Sequence, residues 1–575
     1  MSRLAWIVLF AGCAPSAAST DSAAPASPSR APAAVSAARD LALDGGACLP
    51  CDRPPASTCL DVATRESFVR AGACDAGCRF APLVEACPLG CHDGACDAPA
   101  TPAPAPTAAP TCAQSCDAPP APTCLDAATL RTPLAGVCWA QSLPGGGYGA
   151  GVCRFPTLDR ACARGCVNGA CAACAPSCAG RACGDDGCGG SCGACGGGTL
   201  CSGGACVAIP PLGCGDLGGL EPGAPWPMMR ACPGRQSRSA FVGAQHALVR
   251  WVLDLAPYRL IAPPLVAADG TLYAGDRALA PDGTPRWQIG ASGHAIWIDL
   301  IGRGGALYGG EEWQANFNVV AFDAGGARLW SSAAVVWAPL AAAGDGTLLA
   351  PVRDAQAVSI AAFAPDGAAK WRADLDAAQA WGPRAPALAP DGSLYAAVSG
   401  AQAAHLFALA PGGAEAWRDD GAFGDAAVAP DGTVYHDGPE LAARDPSGRL
   451  RWSFPGAGAA TTAGDGRPPA VAADGTVYVP AAQSPVFYAV RPDGTLAWSA
   501  PVRAAASASI GGDGTLYVAA AGDGATPATL YALDPADGHA RFTLALCDGA
   551  PLQPVIGLDQ LVYVACGTRL YAVGP

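Results

Sequence analysis

Three kinds of residue in this 575-residue chain have the type and spacing to do chemistry: a serine in a G-x-S-x-G pattern, cysteines in even sets, and aspartates repeated before glycine. The serine match is Gly189-Gly190-Ser191-Cys192-Gly193, the spacing of a nucleophile elbow, which needs a strand before it and a helix after it to hold the strained turn. It lies instead in a glycine- and cysteine-rich loop, so it reads as accidental. Gly145-Gly146-Gly147-Tyr148-Gly149 likewise lacks the strand-to-helix setting of a phosphate-binding loop. The aspartates stand in Asp269-Gly270, Asp345-Gly346, Asp391-Gly392, Asp431-Gly432, Asp474-Gly475 and Asp513-Gly514. A tight hairpin turn needs positive φ, which Asp-Gly supplies, so these carboxylates read as turn residues rather than metal ligands or acids.

The cysteines point to bonds rather than catalysis. Cys48, Cys51, Cys59, Cys74, Cys78, Cys87, Cys91 and Cys96 are spaced much as Cys112, Cys116, Cys124, Cys138, Cys153, Cys162, Cys166 and Cys171 are, and eight more follow from Cys174 to Cys206. Modules this small cannot bury enough apolar surface to fold unaided. With even counts and a single histidine, His92, among them, disulfides are favoured over metal, and connectivity within each module stays open. Cys214 and Cys232 are expected to pair with each other, and so are Cys547 and Cys566, which a hairpin turning near Asp559 brings to one end.

The elements behind these residues repeat. Pro468 to Trp498 holds two Asp-Gly turns between runs rich in Val, Tyr, Phe and Leu, the signature of four antiparallel strands. Tyr273, Tyr308, Tyr395, Tyr435, Tyr478, Tyr517 and Tyr563 follow the first turn of successive copies, and Trp287, Trp330, Trp371, Trp417, Trp452, Trp498 and Phe542 close them. The spacing of these closers suits propeller blades. The pattern D-G-T-hydrophobic-Tyr, then P-D-G-x-x-x-W, resembles the quinoprotein-like (PQQ-like) repeat over residues 239–575. The expected fold is therefore all-β: an eight-bladed β-propeller preceded by small disulfide-rich modules. The eighth blade lacks a fourth strand, which His246 to Trp251 should supply, pairing near Leu570.

The chain begins MSRLAWIVLFAGC, one positive charge followed by an apolar run too short to cross a bilayer. Phe10-Ala11-Gly12-Cys13 resembles a bacterial lipobox, which implies lipidation at Cys13 and, with Ala14 after it, the outer membrane. The expected organisation is a signal peptide (1–12), an Ala/Ser/Pro tether (13–44), cysteine-rich modules at 45–97, 112–172 and 173–208 with a Pro/Thr/Ala linker at 98–111, a connector (209–238) and the propeller (239–575).

Net charge is −14 and Lys370 is the sole lysine, which excludes a nucleic-acid footprint built on clustered bases. The end of the propeller away from the Asp-Gly turns carries the variable loops, where Glu311, Glu312, Trp313, Trp337, Trp381, Arg384, Asp419 and Asp420 could form a binding face. The resemblance also implies quinone-dependent alcohol or sugar dehydrogenases. Those carry inserted loops that supply calcium ligands, and many have adjacent cysteines; here the blades are compact and no two cysteines are adjacent. The expectation is a non-enzymatic envelope platform for protein or polysaccharide, without cofactor, with the dehydrogenase and a propeller hydrolase as alternatives.

Overall fold

The structure is a computed structural model that describes residues 116–139 and 151–575, apart from short stretches such as 210–215, 290–295 and 458–467, and the backbone of paired strands between residues 58 and 96. Cys13, Cys214 and the segments called signal peptide and tether lie outside the described residues. The chain divides into two compact units, Met1–Pro106 and Thr107–Pro575.

In the second unit, seven sheets of successive antiparallel strands form consecutive blades, beginning at Leu265, Ile296, Ala341, Ala380, Ala427, Ala470 and Ser509. Five of their first hairpins turn through Asp-Gly-Thr, the second blade turns through Arg303-Gly304-Gly305 and the fourth through Asp391-Gly392-Ser393. Gly270 has φ 80°, and Asp269 Oδ1 accepts from the Thr271 N–H at 2.8 Å; Asp431 and Thr433 repeat the contact at 2.9 Å. The aspartate thus closes the turn that the glycine permits.

The second turn explains why each copy ends in an aromatic. The Trp330 indole N–H donates to Pro365 O at 2.9 Å, Trp452 to Pro492 O at 2.7 Å and Trp498 to Pro535 O at 2.8 Å. Each ring also covers the glycine of that next-blade turn: a Cβ on Gly367 would lie 2.8 Å from Trp330. P-D-G-x-x-x-W is therefore an inter-blade joint, in which one blade's tryptophan reads the next blade's turn.

The expectation of an eight-bladed propeller is corrected: the structure has seven blades. The last strands, Val555–Ile556, Val562–Cys566 and Arg569–Val573, pair with Val249–Asp254, Leu253 facing Leu570, in a seven-stranded sheet that runs on through Thr157–Ala161 and Thr129–Pro133 to Thr123–Cys124 of the second cysteine-rich module. The physical reason is an open edge. Val249–Asp254 has unpaired backbone groups on its outer side, and the module strand satisfies them. Trp251 then makes the standard joint, donating to Pro281 O of the first blade at 2.9 Å.

Disulfides hold the modules as expected for their size. Cys116–Cys153, Cys124–Cys166 and Cys162–Cys171 staple the second; Cys174–Cys188, Cys178–Cys192, Cys183–Cys201 and Cys195–Cys206 staple the third. Cys183, Cys195 and Cys206 converge closely enough for metal ligation, but all three sulfurs are spent in disulfides. Cys547 and Cys566 are bonded to each other, with Cα atoms 6.0 Å apart.

Candidate functional site

The residues expected to form a binding face do not converge. Glu311, at the end of the Leu307–Trp313 strand, is buried and paired with Arg328. Glu312 follows it, half-buried, and the side chains of Trp313 and Trp381 lie outside the described residues. Trp337 is 48% exposed, with the Arg353 guanidinium over its ring at 5.0 Å. The 380–384 segment packs beside it, since a Cβ on Gly382 would strike the Trp337 indole, and Arg384 follows with its N–H bonded to Ala397 O at 2.7 Å. This is the one grouping among the expected residues. Asp420 stands exposed beside His405 Nδ1 at 2.7 Å, while Asp419 turns inward to Arg444 and to His436 Nε2 at 3.4 Å.

The feature that sequence reasoning missed is inside the ring. The connector does not lead up to the propeller; it threads the central channel, entering and leaving at the Asp-Gly end. Its backbone bonds to the first strands in turn. Trp226 exchanges bonds with Val266 of the first blade, Pro227 O accepts from Ile301 of the second, and Pro233 O, Gly234 O, Gln236 O and Ser237 O accept from Leu388, Val428, Val471 and Ile510. The first strands are short and rich in Ala and Pro, so they leave the width that a chain segment needs.

Two arginines anchor this plug, and both are buried. Arg235 Nε donates to Pro386 O at 2.6 Å and Nη2 to Leu340 O at 3.1 Å, joining the third and fourth blades. Arg230 Nη1 donates to Ala426 O at 3.3 Å and Nη2 to Pro469 O, joining the fifth and sixth. Burial pulls the Arg230 guanidinium down to about 9 and that of Arg235 to about 10, against an ordinary 12.5. Arg230, Ala231, Arg235 and Ser237 all have positive φ, a conformation that costs on the order of 1 kcal/mol or more for each non-glycine residue. The surrounding bonds hold it there. Cys232, at the tip, is disulfide-bonded.

Acidic groups ring the tip. Burial raises Asp299 to about 7, with Arg235 opposing the rise, and the Leu340 N–H donates to its Oδ2 at 3.3 Å. Burial and then the neighbouring Asp425 raise Asp437 to about 6, while Arg384 and Arg230 oppose the rise. Asp437 is buried at the end of the Val434–Asp437 strand, and its Oδ1 has no hydrogen-bond partner. Next to it, His436 is pushed down to about 4 by burial. The chemistry available is electrostatic: a cup of matched buried charges floored by the plug, with one carboxylate oxygen unfilled. At the Asp-Gly end, Leu217, Leu220, Pro222, Pro225, Ala240 and Phe241 line an apolar cavity of about 70 Å³.

A single signal could have exposed the plug. First strands made largely of small residues, such as Ala341–Ala342, Ala387–Leu388 and Ala427–Val428, leave an axial channel wide enough for a further segment.

Residues 402–575 match the family model described as outer membrane protein assembly factor BamB. That is the PQQ-like repeat family expected from the turns and closing tryptophans, over the last four sheets of the ring. No curated protein matches the chain. Among solved structures, virginiamycin B lyase from Staphylococcus aureus is 11% identical, over 56% of this chain and 98% of that one, with a TM-score of 0.35. XC5397 from Xanthomonas campestris, a gluconolactonase, is 14% identical over 57% and 89%, TM-score 0.29. The Pan2 WD40 domain of Neurospora crassa is 12% identical over 46% and 84%, TM-score 0.33. None of these likenesses carries information on activity.

Proposed function

We propose that this protein is a non-enzymatic cell-envelope lipoprotein, anchored in the outer membrane through a lipidated Cys13, whose propeller is a rigid platform for protein or polysaccharide contacts. The observation that carries the reading is the plugged channel. A quinone site of the dehydrogenase kind needs open space along the axis and several oxygen ligands converging on a divalent cation. Here the axis is taken by residues 226–239, whose backbone is bonded to the strands around it. The residues present do not fit a quinone with its metal, and binding is left to the outer faces. A rigid ring suits such work, because each blade's closing aromatic is tied to the turn of the next, as Trp330 is to Pro365 O and Trp452 to Pro492 O. The match of residues 402–575 to an assembly factor is in keeping with a protein partner.

The test is titration of the full chain with pyrroloquinoline quinone and calcium, read by absorbance and by dye reduction over alcohols and sugars. Neither binding nor turnover is expected; stoichiometric binding with turnover would overturn the proposal. Cys13→Ser should move the protein from the membrane to the soluble fraction, and unchanged membrane association would refute the anchor.

A further inference from the structure

The disulfides of the second and third cysteine-rich modules skip their nearest candidates. Among the described residues, seven module bonds are seen with both partners: Cys116–Cys153, Cys124–Cys166, Cys162–Cys171, Cys174–Cys188, Cys178–Cys192, Cys183–Cys201 and Cys195–Cys206. None joins cysteines that follow one another along the chain, whereas Cys547–Cys566, in the ring, does.

The physical setting of the two kinds of bond differs. Cys566 ends the buried strand Val562–Cys566 and Cys547 follows the strand Ala540–Ala545, so the packing of the blades brings this pair together without help from the bond. The third module has no such core: among its described residues the only buried apolar side chain is Cys183 itself. Its cysteines therefore meet as in an open chain, where the cost of closing a loop rises with its length. Cys174 and Cys178, four residues apart, should join roughly sixfold more readily than the native Cys174 and Cys188, 14 apart. That bias compounds over four bonds, and eight cysteines can pair in roughly a hundred ways. Proximity in the folded module does not choose either. The sulfurs of Cys183, Cys195 and Cys206 lie within 4.8 Å of one another, so Cys183 has two other sulfurs in reach besides that of Cys201.

We propose that this protein is the substrate of a thiol–disulfide isomerase, a partner whose low-pKa thiolate reshuffles the third module, residues 173–208, before its native pairing is reached. A dithiol oxidant makes the first bonds, accepting two electrons and two protons for each. Reshuffling then needs no oxidant. The partner's thiolate attacks one sulfur of a wrong bond, forming a mixed disulfide and releasing a chain thiolate. A chain thiolate opens a second wrong bond in the same way, and the last one attacks the mixed disulfide and returns the partner's thiolate, so bonds exchange one for one with no net oxidation. Without such a partner the exchange takes minutes to hours.

The test starts from the full chain, denatured and reduced, then returned to a buffer of reduced and oxidised glutathione with or without protein disulfide isomerase. Thiols are blocked at intervals and the bonds mapped by mass spectrometry of peptides. After about ten minutes, the share of chains with all four native bonds of the third module should be at least about tenfold larger with the isomerase. Cys547–Cys566 should form equally in both arms. A second measurement reads the partner even where the blades fail to refold: an isomerase whose resolving cysteine is replaced should be trapped as a mixed disulfide on peptides of residues 174–206 rather than on Cys547 or Cys566. Equal yields of the module bonds in both arms, or no trapped mixed disulfide on the module, would each overturn the proposal.

Discussion

Replacing Arg235 by methionine and by lysine separates what its charge does from what its shape does. The guanidinium makes two good bonds, to Pro386 O at 2.6 Å and Leu340 O at 3.1 Å, and two long ones, to Met229 O and Pro339 O at 3.4 Å. Two bonds from a charged donor are worth roughly 3–6 kcal/mol together. Against this stands burial, which lowers the guanidinium from 12.5 to about 10. A shift of that size corresponds to a charging cost on the order of 3 kcal/mol that methionine would not bear. The methionine variant should therefore lose a net of about 0–3 kcal/mol. Lysine keeps a buried cation yet cannot span two blades, and a buried charge deprived of its partners costs about 3–5 kcal/mol. The larger substitution in chemistry should be the milder one in effect. Guanidinium denaturation followed by tryptophan fluorescence reads both, and the expected order of midpoints is wild type, then methionine, then lysine. A lysine variant as stable as the wild type would refute the claim that a forked donor ties the third blade to the fourth through the plug.

Removing the Cys547–Cys566 bond with a double serine substitution should cost about 3 kcal/mol, since it closes a loop of 19 residues, and thermal unfolding with and without reductant checks it. Stability should peak at mildly acidic pH. Bonds from the Thr347 hydroxyl and N–H, then from Lys370, hold Asp345 at about 2, so its contribution is present above the ordinary carboxylate value and is lost as pH falls toward 2. Asp437 and Asp299 are raised by burial to about 6 and about 7, so their contribution is full below about 4 and is lost as pH rises through those values. Denaturation midpoints between pH 3 and 8 should show both limbs, and Asp437→Asn should flatten the upper one. Leu158→Ala should cost roughly 2–4 kcal/mol at the junction of module and ring. Proteolysis should then open residues 123–161 while the tryptophan-monitored transition of the ring stays in place.

The sequence by itself determined the blades, because their signals are local. Asp-Gly imposes a turn on its own hairpin, and the spacing of Tyr and Trp counts strands without reference to neighbours. The joint made by Trp452 on the Pro492 turn was present as a motif, though only packing shows what the indole touches. The Cys547–Cys566 bond was legible for the same reason, since both ends belong to one hairpin. What tertiary structure decided are the contacts between distant segments. Arg230 bonds to residues 196 and 239 places away, and nothing in the run from Trp226 to Phe241 has a period that points to them. The role of Arg230 comes from carbonyls that converge only when the ring closes. The blade count turned on the same kind of contact. Whether Val249–Asp254 ends a sheet or continues one depends on an edge that Thr157–Ala161 reaches from some 90 residues away, and a free edge has no local sequence mark.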